Sequence, residues 1–183
     1  MSEYCILGDN AGEINGSGRD LGIEAGLYVA KVMHNDLVNA NVSAWHWWLA
    51  ISPYDYKDGL VYIDKNKNDG NYQSAKMLWA MGNFSRFVRP GAVRVNAATG
   101  SMSEGVLVSS YRNIDQQLVT VIINGGPTAQ TATLALTSGR LSNVEGYATS
   151  ARADLAPVTL PTINTPFTVE AKSVTTIVGD WVR

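Results

Sequence analysis

Glu3, the Trp45-His46-Trp47-Trp48 cluster and the Tyr54-Asp55-Tyr56-Lys57-Asp58 stretch hold the residue types best suited to chemistry. Glu3 opens an apolar run, Tyr4-Cys5-Ile6-Leu7, and residues 2–7 read as a short buried strand. A carboxylate in such a strand is costly to bury unless it is partnered or used. At the C-terminal end of a parallel barrel strand it would face an active site. Cleavage of a glycosidic bond with retention needs two carboxyl groups about 5 Å apart, a nucleophile and an acid/base. Glu3 suits the first role; a frayed, solvated terminal residue is the plainer alternative. Indole faces stack on the C–H faces of sugar rings, which makes Trp45, Trp47 and Trp48 candidate sugar platforms. Strand alternation sets Trp45 and Trp47 on one side and His46 and Trp48 on the other. Both pairs line one pocket only if a bulge intervenes, and at least one indole is expected to pack under a helix. His46 alone reads as a hydrogen-bonded core histidine. Tyr54 sits in the loop after this strand, where it would overhang the same site.

Other signals are weak. Cys5, the single cysteine, reads as a small buried residue rather than a nucleophile, and it excludes an internal disulfide. Residues 64–70 resemble a calcium loop, but the glycine comes one residue late and no glutamate closes it. Two histidines do not make a zinc site, and Gly16-Ser17-Gly18 is too short to cradle a phosphate. No metal or cofactor is expected. The sequons at Asn15, Asn41 and Asn83 read as incidental, since the last two border or lie within buried elements.

The elements that must position these residues follow from periodicity. A Gly- and Asn-rich loop covers residues 8–16. Ser17, with Asp20 three residues on, is expected to start a helix whose apolar face (Leu21, Ala25, Tyr28, Val29, Val32, Met33) runs to about Leu37. Residues 42–51 are nearly all apolar, which predicts a strand buried on both faces, as in a parallel sheet under helices. Strand, helix, strand is a βαβ unit. Leu60 to Ile63 suggests a short strand, and residues 73–88 a second helix stopped by Pro90-Gly91. Beyond Gly91 come short strands at 93–95, 105–111, 118–123, 131–136, 144–148, 167–171 and 174–178, the pattern of a sandwich.

Hydrophobic residues at 45% allow a core, and charged residues at 16% suit a β-rich, extracellular style of protein. A net charge of −2 without a basic cluster argues against nucleic acid as a partner. No apolar run is long enough to span a membrane, and no signal peptide opens the chain.

Several segments together resemble glycoside hydrolase family 30. Met1-Ser2-Glu3 is similar to the end of that family's seventh barrel strand, where a Trp-x-Ser-Glu-type motif carries the nucleophile. Ser43-Ala44-Trp45, then Trp47 and Trp48, resembles the eighth strand, whose aromatics wall the sugar subsite. Residues 81–91 (MGNFSRFVRPG) are the most specific match, at the handover from the last barrel helix to the sandwich. Phe167-Thr168-Val169-Glu170-Ala171 and Ser173-Val174-Thr175-Thr176 resemble the closing strands of that sandwich. Ser-Glu-Tyr-Cys, Trp-His-Trp-Trp and Tyr-Lys-Asp-Gly-Leu look closest to members acting on β-1,6-galactan.

The resemblance implies an α+β fold: the last βα units of a (β/α)8 barrel over residues 1–91, then an all-β sandwich over 92–183. It implies Glu3 as nucleophile, with Trp45, Trp47, Trp48 and Tyr54 holding a poly- or oligosaccharide. The family's acid/base glutamate lies on the fourth barrel strand and has no counterpart in this sequence. The chain is therefore expected to be the C-terminal fragment of a secreted or periplasmic retaining glycosidase, inactive alone. An exposed barrel edge would then invite self-association. A different reading makes the sandwich a carbohydrate-binding or structural module. Its few aromatics (Tyr111, Tyr147, Phe167, Trp181) favour the structural role.

Overall fold

The computed structural model describes residues 3–66, 68–100, 105–160 and 164–182; Met1 and Ser2 of the opening motif lie outside them. The elements in chain order are α1 (Ile23–Val38), β1 (Ile51–Ser52), β2 (Val61–Ile63), β3 (Tyr72–Ser74), α2 (Lys76–Ser85), β4 (Val93–Val95), β5 (Val106–Arg112), β6 (Gln117–Asn124), β7 (Gln130–Ala132), β8 (Arg140–Thr149), β9 (Ala156–Val158), β10 (Phe167–Val169) and β11 (Ser173–Val182).

An antiparallel sheet ordered β4-β5-β6-β11-β8-β9 forms the centre. Its two faces are covered differently. Along β6, Val119, Val121 and Ile123 turn to one side and Ile122 to the other, as strand alternation requires. The first side joins Val174 and Val178 in one apolar core with α1 (Ala25, Leu27, Val29, Ala30, Met33) and α2 (Met77, Ala80, Phe84). On the second side Val106, Ile122 and Ile177 meet Ala132 and Val169 from the antiparallel pair β7–β10. The fold is thus α+β, with a helix layer, a six-stranded sheet, a short two-stranded sheet and a small three-stranded sheet, β1-β2-β3.

Two small details fix the helix layer. Gly26 lets α1 cross the start of α2 closely; a Cβ there would lie 3.0 Å from the Lys76 carbonyl oxygen. Asn83 of α2 is fully buried against the sheet. Its amide donates to Thr149 Oγ1 (2.7 Å) and to the Trp79 carbonyl (3.0 Å). The Thr176 hydroxyl lies 2.7 Å from its carbonyl oxygen and 2.9 Å from its Oδ1. One side chain thereby ties α2 to β8 and β11, and the sequon at this position is closed to a glycan.

Several expectations need correction. Helix α1 starts at Ile23, not Ser17, because Asp20 Oδ1 accepts the Gly22 N–H (2.7 Å) and residues 17–22 are held against a neighbouring loop. Residues 42–51 are not a strand buried on both sides. Exposed and half-buried residues alternate along most of them, and only Ile51 enters a strand, β1. The cause is one-sided cover: no described element lies over the face that carries His46 and Trp48. The strand expected at residues 2–7 reduces to one bridge at Tyr4. Helix α2 begins at Lys76 because residues 72–74 pair with β2 instead. Strand β9 went unforeseen because Pro157 reads as a breaker; a sheet edge tolerates it, and it pairs opposite Tyr147 there.

Candidate functional site

Tyr4 sets the register of the site. Its N–H donates to the His46 carbonyl (2.9 Å), and its carbonyl accepts the Trp48 N–H (2.9 Å). This is a parallel bridge between Tyr4 and Trp47, the pairing of adjacent strands in a βαβ unit. The tyrosine ring falls on the helix side. It stacks on Trp45 (centroids 5.8 Å apart), and Trp45 stacks on Trp47 (6.1 Å). The Tyr4 phenol lies 2.7 Å from that of Tyr28 on α1, and Asn10 donates to both. Burial, then the Tyr28 phenol, push Tyr4 far above the usual tyrosine range. Trp45 Nε1 donates to Asp36 Oδ2 (2.8 Å), and Trp47 Nε1 to the Asp58 carbonyl (2.8 Å). Trp45 and Trp47 are therefore half-buried, with their polar edges used up under α1.

Glu3 and Cys5 alternate away from Tyr4. Glu3 is exposed. The Cys5 thiol is pushed up first by burial and then by the Glu3 and Asp58 carboxylates. On the partnering segment, alternation brings His46 and Trp48 to that same face, both exposed. Trp48 keeps 47% of its surface accessible, and the Trp48–Leu49 peptide bond is cis. An accessible carboxylate thus shares a face with an accessible indole. A carboxylate can attack an anomeric carbon, and an indole can hold the ring.

The loop carrying Tyr54 follows β1 directly. Tyr54 is 51% exposed, with the Lys65 ammonium 5.1 Å from its ring centre. The loop is braced by Arg19, which no motif marks. Its guanidinium donates to the carbonyls of Tyr54 (2.9 Å), Pro53 (3.0 Å) and Ile63 (3.2 Å), and lies 4.9 Å from the Tyr62 ring centre. Asp55 returns the contact by accepting the Arg19 N–H (2.8 Å). No spacing rule would have found Arg19, since its partners lie more than thirty residues away. Asp58, expected in the overhanging loop, is only 2% exposed. Its carbonyl also accepts the Leu49 N–H (2.5 Å), while its Oδ1 has no hydrogen-bond partner among the described residues. A hollow of about 300 Å³ beside α1, with Glu13, Glu24, Lys31 and Lys172 on its walls, includes none of Glu3, Trp48 or Tyr54.

Comparison with known proteins gives matches in both halves. Residues 1–62 match O-Glycosyl hydrolase family 30, and residues 91–177 match the Glycosyl hydrolase family 30 beta sandwich domain. Glucuronoxylanase XynC of Bacillus subtilis is 34% identical over 138 residues, which cover 75% of this chain and 30% of the relative. A conserved exported protein from Bacteroides fragilis superposes with a TM-score of 0.78 at 32% identity, covering 97% of this chain and 38% of that one. The Xyn30A xylanase structure from Clostridium acetobutylicum shares the fold with a TM-score of 0.77 at 24% identity, over 98% of this chain and 42% of that one. The chain spans about 30% of the length of the curated relative.

Proposed function

We propose that this chain, which carries family 30 glycoside hydrolase sequence in both its halves, supplies the nucleophile-bearing part of a retaining β-glycan hydrolase. One observation carries the reading: the parallel bridge from Tyr4 to Trp47 sets Glu3 opposite His46 and Cys5 opposite Trp48, so that Glu3 and the exposed Trp48 share the face turned away from α1. In this mechanism the Glu3 carboxylate attacks the anomeric carbon and the glycosidic C–O bond breaks. A second carboxylic acid gives its proton to the leaving oxygen, then takes one from the water that releases the sugar. That second acid belongs to barrel strands whose counterparts in the relatives lie outside the matched segment. Trp48 stacks on the sugar, and Tyr54 borders it. Trp45 and Trp47 serve beneath with stacked rings, Trp45 bonded through its indole N–H to Asp36 of α1 and Trp47 to the Asp58 carbonyl.

Support for a substrate class comes from the relatives, one of which is named a glucuronoxylanase. We take a β-linked xylan as the first candidate. A β-1,6-galactan, suggested by the Ser-Glu-Tyr-Cys and Tyr-Lys-Asp-Gly-Leu segments, draws no support from these relatives and belongs in the same test as the comparison substrate.

The 183-residue chain is expected to show no turnover, since loss of the general acid alone removes a factor of roughly 10²–10⁴. Fusion to the upstream barrel of a family 30 relative should give activity on glucuronoxylan. In that fusion Glu3→Gln should abolish hydrolysis by several orders of magnitude with little change in substrate binding. A 2-fluoro glycoside should label Glu3 covalently, read by peptide mass spectrometry. Label on another residue, or full activity of Glu3→Gln, refutes the assignment.

A further inference from the structure

The second face of the central sheet is only partly covered. Strands β5, β6 and β11 run for 7, 8 and 10 residues, but β7 and β10 above them have 3 each. The short pair seals the end around Val106, Ile122 and Ile177. The other end is open, and a groove of about 450 Å³ lies there between the sheet and residues 134–138. A second hollow of about 550 Å³ shares Arg112, Ser138 and Trp181 with it. The combined space is that of a small-molecule site.

Its chemistry is specific. Trp181 forms one wall, its indole N–H donating to the Ser138 carbonyl (3.3 Å). The Arg112 guanidinium lies over the indole, 5.8 Å from its centre and near the limit of a cation–π contact, so a sugar has the other side and the edge of the ring to meet. No carboxylate among the described residues lies within ion-pair distance of Arg112. The floor mixes apolar side chains, Val108 and Leu118 among them, with the buried hydroxyls of Ser110 and Thr120, which lie 2.9 Å apart.

We propose that this groove binds an acidic saccharide, with the sugar ring against Trp181 and its carboxylate on Arg112. An aromatic face suits the apolar side of a pyranose, and hydroxyls suit its rim. The guanidinium, without a carboxylate partner among the described residues, selects a uronate over a neutral sugar through a two-pronged hydrogen bond. The site lies on the sheet face opposite α1, so it serves for capture of a chain and not for cleavage.

The test uses the whole 183-residue chain, with ¹⁵N-detected titration by methyl β-glucuronide and methyl β-glucoside. The glucuronide should give saturable shifts at the Trp181 indole N–H, and the glucoside should bind at least about tenfold more weakly, the loss of a charge-assisted contact. Arg112→Gln, on an exposed side chain and with unchanged melting, should lose the same factor. Trp48→Ala and Glu3→Gln should change nothing, which separates this site from the proposed catalytic face. Equal binding of glucoside and glucuronide, or indifference to Arg112→Gln, overturns the proposal. Equal shifts from acetate, sulfate or a glutamate peptide overturn it too.

Discussion

Among single residues, Glu3 and Trp48 stand out for being open to solvent, whereas Trp45, Trp47 and Asp58 stand out for being enclosed. Alternation in the sequence already divided the tryptophans into two faces. Which face looked outward depended on α1, because Tyr28 and Asp36 supply the partners for Tyr4 and Trp45. Those partners lie on a helix, and no local pattern ties them to the strand. Asp64 shows a second kind of surprise. Its carboxylate accepts N–H groups from Asn66 (3.0 Å) and Asn71 (3.1 Å), closing the turn that resembled a calcium loop. These bonds, Asn71 first, hold its pKa below the ordinary aspartate value. A depressed folded-state pKa stabilises the turn above the unfolded pKa, and that contribution is lost as pH falls through the folded one. A ¹³C titration should place the Asp64 midpoint below the ordinary aspartate value, and Asn71 amide exchange should rise on the acid side of it. A midpoint at or above the ordinary value contradicts these bonds.

At the level of elements, the helices and most strands beyond Gly91 were legible from periodicity, and their boundaries were not. β8 and β11 extend well past their apolar stretches, because backbone pairing continues where side chains turn polar. Arg19 and Asn83 do what periodicity cannot reveal: each satisfies carbonyls or hydroxyls of distant segments. Arg19→Lys replaces a planar fork by a point donor and cannot reach three carbonyls at once. Hydrogen exchange over residues 53–57 should quicken in that variant while α1 and the central sheet stay protected. Unchanged exchange in the loop would show that Arg19 does not brace it. Asn83→Ala removes the buried amide that serves both Thr149 and Thr176, leaving Thr176 the residue-83 main-chain carbonyl and Thr149 the Leu155 N–H. It should destabilise by about 2–4 kcal/mol in urea unfolding, with the m-value preserved. A cost within 0.5 kcal/mol, roughly that of an ordinary surface change, would mean that water replaces the amide.

Across the whole molecule, the sequence changes texture near Pro90, and one apolar layer spans that point. Val119, Val121, Ile123, Val174 and Val178 of the sheet share a single apolar layer with both helices. Sequence could not disclose this, since an apolar alternation looks the same whether a helix or another sheet covers it. The intact chain should melt in one calorimetric transition. Residues 92–183 alone, stripped of α1 and α2, should expose that valine face and bind a hydrophobic dye or precipitate. A soluble, cooperatively folded 92–183 segment would show that the helices are dispensable.

The common layer also limits how such a protein can be rearranged by recombination. A crossover near Pro90 that joined this sheet to an unrelated partner would bring its valine side against a surface never shaped for it. The sheet can be inherited elsewhere only together with its pair of helices, so the heritable unit starts upstream of the point where the amino-acid texture changes.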